Sequence, residues 1–245
     1  MFRPMTFKCR ACLILLLMGL WACQGGLGGV MDQVTQQMQS GQPLSQKEIV
    51  AGLKQALEVG TGNAVDLTSK TDGYFKNPQI KIPLPEQVQK AEDLLRTVGF
   101  GDQVASFEKS MNRAAERAAP EAKALFVTAI KQMTFADAKK ILQGRENEAT
   151  LYFKEKTSQP LAQRFKPLVH NSMSEVGVTR YYQSIESKLR VLPLGGSLNL
   201  DLDQYVTTKA LDGLFFMLAQ EEAKIRKDPA ARVTELLKRV FGAQS

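Results

Sequence analysis

The amino-acid sequence predicts an all-α fold, a single-domain bundle of about nine or ten short helices, from three patterns. Apolar residues recur at helical spacing along most of the chain, in short runs that glycine and proline interrupt. One run, at about 204–226, is apolar on nearly every side of the helical wheel, which predicts a central helix buried all round. A single stretch, at about 72–85, is rich in proline and has the alternating Ile80-Lys81-Ile82, so we expect an extended segment or edge strand lying over the helices.

The first 22 residues have the three parts of a secretory signal peptide. Basic residues at positions 3, 8 and 10 precede an apolar run, Ala11–Leu20. That run is too short to cross a bilayer, which needs about 20 residues. We therefore expect residues 1–22 to be removed on export. Cys9 and Cys12, a C-x-x-C pair that elsewhere could indicate redox or zinc chemistry, would be removed with them.

Cys23 ends the run Leu20-Trp21-Ala22-Cys23, which resembles the lipobox of bacterial lipoproteins. The resemblance implies that the Cys23 thiol is acylated and that the lipid holds the exported protein to a membrane. The residue after Cys23 is Gln24 and not Asp, and by the same resemblance this implies that the lipoprotein is held at the outer membrane. Residues 23–43 would then hold the lipid-attachment cysteine, a flexible glycine-rich tether and a loose first helix. The alternative is an ordinary cleaved signal without a lipid.

The helical domain is expected over residues 44–242. Ser45 and Glu48 have the spacing of a capping box and predict the start of a helix, which Gly60 and Gly62 are expected to end or bend. Pro85 suits the first turn of the helix that follows the extended segment. Later helices are predicted at 86–98, 102–118, 120–133, 135–144 (behind a Thr134 cap), 147–157, 160–175 and 178–190.

The central helix is expected to follow a loop at 191–202, with Asp203 as its N-cap. It is too short, and too interrupted by Lys209 and Asp212, to be a membrane span. Asp228-Pro229 is expected to end it. A last helix is predicted from apolar residues at helical spacing: Val233, Leu236, Leu237, Val240 and Phe241.

The formal net charge of +7 does not by itself indicate a nucleic-acid-binding protein. Three of the basic residues lie in the signal segment, and the others are interspersed with acidic residues, as in Glu221–Lys227. A nucleic-acid-binding surface would show a basic stripe interleaved with stacking aromatic residues. The sequence has no such stripe, so we expect no nucleic-acid partner.

Candidate catalytic and metal-binding residues are few. His170 is the single histidine and has no nucleophile motif beside it, so we expect a structural role. Zinc held by several His or Cys side chains is excluded by their number in the mature chain, and no cofactor is expected. Asn199, Asp201 and Asp203 alternate and could offer oxygen ligands to calcium. An Asx turn followed by a helix cap is the preferred interpretation of these three residues.

Asn112, Arg113 and Glu116 form a polar cluster in an alanine-rich helix. On the helical wheel Arg113 and Glu116 lie on the side opposite the apolar stripe that contains Val104. The preferred interpretation is a solvated face with an i,i+3 ion pair. The alternative is a polar groove, which would require another element to cover this face.

Five runs of the mature chain, together and in order, suggest a family: Ala56–Val65, Ile80–Pro85, Ser110–Glu116, Ile130–Phe135, and Leu200–Val206 leading into Lys209–Phe215. The chain from about Leu44 to Gly242 resembles the family catalogued as domain of unknown function 4197, exported proteins of proteobacteria. The resemblance implies a helical fold and export. It carries no reaction and no catalytic residues to this chain.

Three functions remain open. The preferred one is a non-enzymatic cell-envelope protein of the periplasm, tethered to the membrane through Cys23, that binds a partner or small ligand in a groove between helices. The second is a carboxylate-based hydrolase or metal-dependent enzyme that uses Asp201, Asp203 or Glu116, which converging buried carboxylates would support. The third is a carrier of lipid or another apolar ligand, which predicts an internal cavity large enough for an acyl chain.

Overall fold

The described part of the chain is almost entirely helical, because its amphipathic runs bury their apolar faces against one another. The computed structural model describes residues 45–175, 177–191, 200–228 and 234–242. The α-helices are α1 (Gln46–Ser69), α2 (Glu86–Lys90), α3 (Glu92–Thr97), α4 (Gly101–Ala118), α5 (Ala122–Gln132), α6 (Phe135–Gln143), α7 (Glu148–Glu175), α8 (Val178–Leu189), α9 (Leu202–Lys227) and α10 (Glu235–Gly242). A 3₁₀ turn, Ala119–Glu121, joins α4 to α5, and no strand occurs in these ranges. The all-α prediction is confirmed.

The signal peptide, Cys23 and the tether lie outside the described residues, as do Asn199 and Val233. The predictions for them therefore stay predictions. The compact unit to which the described helices belong covers Leu44–Ser245.

Two predicted helix starts are confirmed by their hydrogen bonds. Ser45 Oγ accepts from the Glu48 N–H, and the Ser45 N–H donates to the Glu48 carboxylate at 2.8 Å. Thr134 and Asp137 make the same reciprocal pair at the start of α6. Each capping box satisfies two N–H groups that a helix start otherwise leaves without an intrahelical partner.

α1 is one helix of 24 residues, so the predicted end or bend at Gly60 and Gly62 is wrong. Gly60 lies against α9, where an added Cβ would stand 3.3 Å from Ile225 Cδ1. Gly52 faces α10 in the same way, 2.8 Å from Val240 Cγ2. The glycine at 60 therefore serves close packing between helices, and this packing offsets its low helix propensity.

α7 is one helix of 28 residues that contains Pro160 and Pro167, so the prediction of separate helices at 147–157 and 160–175 is also wrong. A proline inside a helix costs about 3 kcal/mol through a lost hydrogen bond and a clash. Leu161 and Phe165, beside the prolines, are fully buried in the core. Burial of such side chains contributes enough to keep the helix continuous, at about 1.5–3 kcal/mol each.

The first turn of α7 is capped from a distance by α9. Glu222 is buried, and its carboxylate accepts the N–H groups of Ala149 and Thr150 at 3.0 and 2.8 Å. Arg226, one turn later, binds Glu222 and donates to the Ile141 carbonyl of α6 at 2.8 Å. The C-terminal half of α9 thus joins α6 and α7.

α9 is the central helix, as predicted, and it packs against α7, α1 and α4. The prediction that it is buried all round is wrong, because Asp212, Phe216 and Gln220 lie along one exposed stripe of the helix. Leu211, Leu214 and Phe215 are buried in different directions around it. Its N-cap is Asp201, whose carboxylate accepts from the Gln204 N–H at 2.8 Å. The prediction of Asp203 as the cap is therefore wrong, because the helix starts at Leu202 and places Asp203 within its first turn.

Residues 72–85, which we call the strap, lie across α4 and α9 in turns and extended backbone. Of the two predicted alternatives, the extended segment is therefore found and the edge strand is not. Tyr74 is fully buried, and its hydroxyl donates to the Ala210 carbonyl at 2.6 Å. Burial raises the pKa of the Tyr74 hydroxyl well above its ordinary value. Gly213 of α9 makes room for the Tyr74 ring, since an added Cβ there would stand 2.7 Å from Tyr74 Cε1.

Candidate functional site

The polar cluster of α4 lies beneath the strap. Asn112 is 0% exposed and Glu116 is 3% exposed, so the preferred interpretation of a solvated face is wrong. The helical wheel places Arg113 and Glu116 correctly, opposite the first apolar stripe. The strap then covers that second face, as the alternative interpretation required.

Glu116 holds the start of the strap. One of its oxygens accepts the N–H groups of Tyr74 and Phe75, both at 3.1 Å, and the other pairs with Arg113. Arg113 continues to Asp72, which adopts a left-handed backbone with φ 67°. The hydrogen bond from Lys76, and then Arg113, hold the pKa of the Asp72 carboxyl below its ordinary value.

Asn112 holds the other end of the strap, since its side-chain amide hydrogen-bonds both backbone groups of Ile82, as the backbone of a neighbouring strand would. Its Oδ1 accepts from the Ile82 N–H at 2.8 Å, and its Nδ2 donates to the Ile82 carbonyl at 2.9 Å. Nδ2 also donates to the Glu108 carbonyl at 2.9 Å. We call Asp72, Asn112, Arg113 and Glu116 the clamp. Because its polar atoms are engaged with the strap and with one another, the clamp is a structural device and not an open groove.

The three oxygen-ligand candidates are not assembled into a metal site in the described structure. Asn199 lies outside the described residues. Asp201 caps α9 and pairs with Lys166 at 3.2 Å, and Asp203 pairs with His170. The Gln204 N–H, and then Lys166, lower the pKa of the Asp201 carboxyl. Over the described ranges, no three His, Cys, Asp or Glu side chains gather as metal ligands.

An open groove lies between the middle of α7 and the first turn of α9. Its volume is about 530 Å³, and we call it the α7–α9 groove. Its lining residues are Ala162, Gln163, Lys166, Pro167, His170, Asn171, Asp203 and Gln204. The heptad spacing of α7 brings 163, 166, 167, 170 and 171 to one face of the helix.

His170 lies on the wall of this groove and not in the core. Its side chain is 63% exposed, and its Nδ1 stands 2.9 Å from the Asp203 carboxylate. Sequence reasoning missed this pair, since 33 residues separate the two. The signal that existed is a matching of spacings: bases one turn apart, Lys166 and His170, meet acids two residues apart, Asp201 and Asp203.

Lys166 pairs with Asp201 and Asp203 with His170 Nδ1, and the other polar groups of the groove are carboxamides. Gln163, Asn171 and Gln204 each carry both hydrogen-bond donors and an acceptor. Gln204 already donates to Thr208 Oγ1 at 3.0 Å. With His170 Nδ1 engaged by Asp203, Nε2 is the ring atom that can bind a ligand or take a proton. The groove therefore suits a ligand without net charge that offers donors and acceptors side by side.

The groove and the start of α1 lie at opposite ends of α9. α1 runs antiparallel to α9, because Gly60 faces Ile225 while Asn63, further along α1, donates to Glu221 at 2.9 Å. From Ile225 to Asp203 the helix rises by about 33 Å at 1.5 Å per residue. The first turn of α1 lies further still from the groove.

A small, partly open cavity of about 20 Å³ lies between α1, α6, α7 and α9, beside Leu53, Leu57 and Ile225. That volume is about the size of a single water. No helix within the described ranges combines the length and apolar character that spanning a bilayer requires.

A family model described as "Protein of unknown function (DUF4197)" matches residues 43–242. No curated protein and no solved structure matches the chain.

Proposed function

Since the chain belongs to the DUF4197 family, whose description assigns no activity, we propose its function from the geometry: it is a non-enzymatic binding protein of the cell envelope, and the α7–α9 groove is its binding site. The observation that carries this proposal is the groove itself, which is open, bounded by two long helices and lined by polar side chains that include the carboxamides of Gln163 and Asn171. The natural occupant is a peptide segment of a partner protein.

The lining of the groove supports a peptide occupant. A peptide backbone presents N–H donors and C=O acceptors at short intervals, and a carboxamide can bind one of each. Gln163 and Asn171, two turns apart on α7, offer two such side chains along the groove. Pro167 lies between them and adds an apolar contact. Lys166 is paired with Asp201, and His170 Nδ1 with Asp203, so neither side chain is left without a partner for an ionic ligand to meet.

The proposed attachment of the protein to the outer membrane implies which way the groove faces. Signal cleavage and acylation of Cys23 would tether the domain to the outer membrane through residues 24–44, which lead to the start of α1. The groove lies at the far end of α9. A partner within the periplasm would therefore reach the groove without contacting the membrane.

One observation favours an enzyme as the second candidate. Asp203 holds His170 by Nδ1 at 2.9 Å, as a carboxylate holds a general-base histidine, and Nε2 could then take a proton from water. The carboxylates proposed for a hydrolase are otherwise engaged: Glu116 binds the strap, and Asp201 caps α9. The single-water size of the cavity beside Leu53 gives a lipid carrier no comparable support.

Native mass spectrometry of the protein from envelope extracts tests the binding proposal. We expect the wild-type chain to carry a bound partner or ligand mass. Gln163→Trp, which fills the groove from an exposed position, should lose that mass, whereas Thr128→Trp, exposed on α5, should keep it. Equal retention by both variants, or an empty wild-type protein, would contradict the proposal.

The same spectra test the anchor. A wild-type mass increased by acyl chains, and its loss in Cys23→Ser, would support lipidation. An unmodified N-terminus at any residue other than 23 would refute it.

A further inference from the structure

Phe135 is a large apolar side chain that the core does not use. It is 48% exposed at the first position of α6, although Ala138 and Ile141 of the same helix are buried. The capping box of Thr134 and Asp137 fixes where α6 begins and so holds Phe135 in place on the surface. An exposed phenylalanine in a defined position suggests a contact outside the domain.

Three lysines lie on the elements next to this side chain. Lys131 is in the last turn of α5, Lys139 follows Phe135 by one turn of α6, and Lys54 of α1 reaches the Lys131 carbonyl at 3.4 Å. None of these lysines takes part in an ion pair within the described part of the chain. We call Lys54, Lys131, Phe135 and Lys139 the α6 face.

The neighbouring acid, Asp137, is committed to the helix cap. Its carboxylate accepts from the N–H and hydroxyl of Thr134, and these bonds lower the pKa of the Asp137 carboxyl. It therefore stays charged and reduces the positive charge of the α6 face by one without pairing with the three lysines. The face keeps a net positive charge beside an exposed aromatic ring.

The α6 face lies at the end of the domain where the rest of the chain enters. Lys54 is two turns into α1, and the 44 residues before α1's cap, with the proposed lipid site at Cys23, precede it. Arg226 contacts Ile141, so α6 packs near the C-terminal end of α9, away from the α7–α9 groove. A lipid on Cys23 would therefore keep the α6 face within reach of a membrane.

We propose that the α6 face binds the surface of a membrane that contains anionic phospholipid. Phe135 enters the headgroup layer, and Lys54, Lys131 and Lys139 bind lipid phosphates. Lysine suits this place because its apolar stem can lie along the interface while its ammonium group reaches a phosphate. With a lipid on Cys23 the contact would fix the orientation of the domain and turn the groove toward the periplasm. The contact does not depend on the groove having a ligand.

Vesicle sedimentation with the full mature chain carrying Cys23→Ser tests the proposal without any acyl anchor. We expect binding to phosphatidylcholine vesicles that contain phosphatidylglycerol, and little binding to phosphatidylcholine alone. Lys131→Gln and Lys139→Gln should each weaken binding about fivefold, the contribution of one lysine near an anionic surface. Phe135→Ser should weaken binding to the vesicles that contain phosphatidylglycerol, and also any measurable binding to phosphatidylcholine alone.

The matched controls are Lys109→Gln, Lys209→Gln and Phe216→Ser, exposed residues of the same types on α4 and α9. These should leave binding unchanged, and thermal unfolding should show that every variant folds. Equal losses in the control and test variants would overturn the proposal, since they would indicate only a general charge effect. So would binding that ignores phosphatidylglycerol, or no binding at all.

Discussion

The clamp and the α7–α9 groove contain the same kinds of residue but differ in what covers them. In the clamp, the strap lies over Asn112 and Glu116, and backbone N–H groups take up their acceptors. In the groove, His170 and Asp203 make one contact to each other and remain open to solvent. A polar cluster whose hydrogen-bonding capacity is consumed inside the fold serves stability. One that keeps spare capacity at an open surface can serve binding.

The largest expected effect is loss of stability in the clamp. Glu116→Ala removes a buried carboxylate, leaving Arg113 and the N–H groups of Tyr74 and Phe75 without this acceptor. Removing one partner of a buried ion pair costs about 3–5 kcal/mol. We expect a decrease of about 3 kcal/mol in the free energy of unfolding, measured with urea.

Glu116→Gln provides the control for size and shape. It keeps one oxygen that can accept from the Tyr74 and Phe75 N–H groups, so it should lose less than Glu116→Ala. If both variants unfold at the wild-type urea midpoint, the clamp does not stabilise the fold, and the proposed contrast between a stabilising clamp and a binding groove is wrong.

A smaller effect is expected at Asp72, as a change in pH dependence. Its pKa is lowered from the ordinary 3.8, first by Lys76 and then by Arg113. A carboxyl with a lowered pKa contributes stability that is present above its unfolded pKa and is lost as the pH falls through the folded value. Asp72→Asn removes this charge, and Asn tolerates the left-handed backbone at φ 67°. The urea midpoints of the variant and the wild type should therefore differ at pH 6 and converge as the pH falls below the ordinary carboxyl pKa of 3.8.

A constant difference across this pH range would contradict the assignment, because it would indicate lost packing and not a lost charge. Lys76→Gln should show the same convergence with a smaller difference, since Arg113 still faces Asp72. This pair of variants separates the two cations that lower the Asp72 pKa.

Local features of the fold could be predicted from the sequence, whereas contacts between distant elements could not. Capping at Ser45 and Thr134 depends on residues three apart, and the burial of most sides of the central helix follows from its own apolar content. The continuity of α7 through its two prolines depends on how its neighbours bury Leu161 and Phe165. No local rule contains that information.

The candidate sites show the same division. The wheel placed Arg113 on the correct side of α4, but the strap that covers this side comes from residues about 40 positions earlier. His170 and Asp203 lie 33 positions apart and meet only because α7 packs along α9. A lone histidine is more often structural, and only its exposure in the folded chain shows that it lines a groove.

The smallest expected effect on stability is at the groove, and it completes the comparison. His170 and Asp203 form a solvent-exposed pair, and such pairs contribute about 0–1 kcal/mol because water screens them. His170→Gln, Asp203→Asn and the double variant should each keep the wild-type urea midpoint to within about 0.5 kcal/mol of unfolding free energy. The same variants should nevertheless lower the fraction of protein that carries a bound ligand in native mass spectrometry, because we assign the pair to ligand binding and not to stability.

A large loss of stability in these variants would place the His170–Asp203 pair with the clamp, as part of the fold. Unchanged stability with unchanged ligand would remove both residues from the binding site and leave the carboxamides of α7 to account for it.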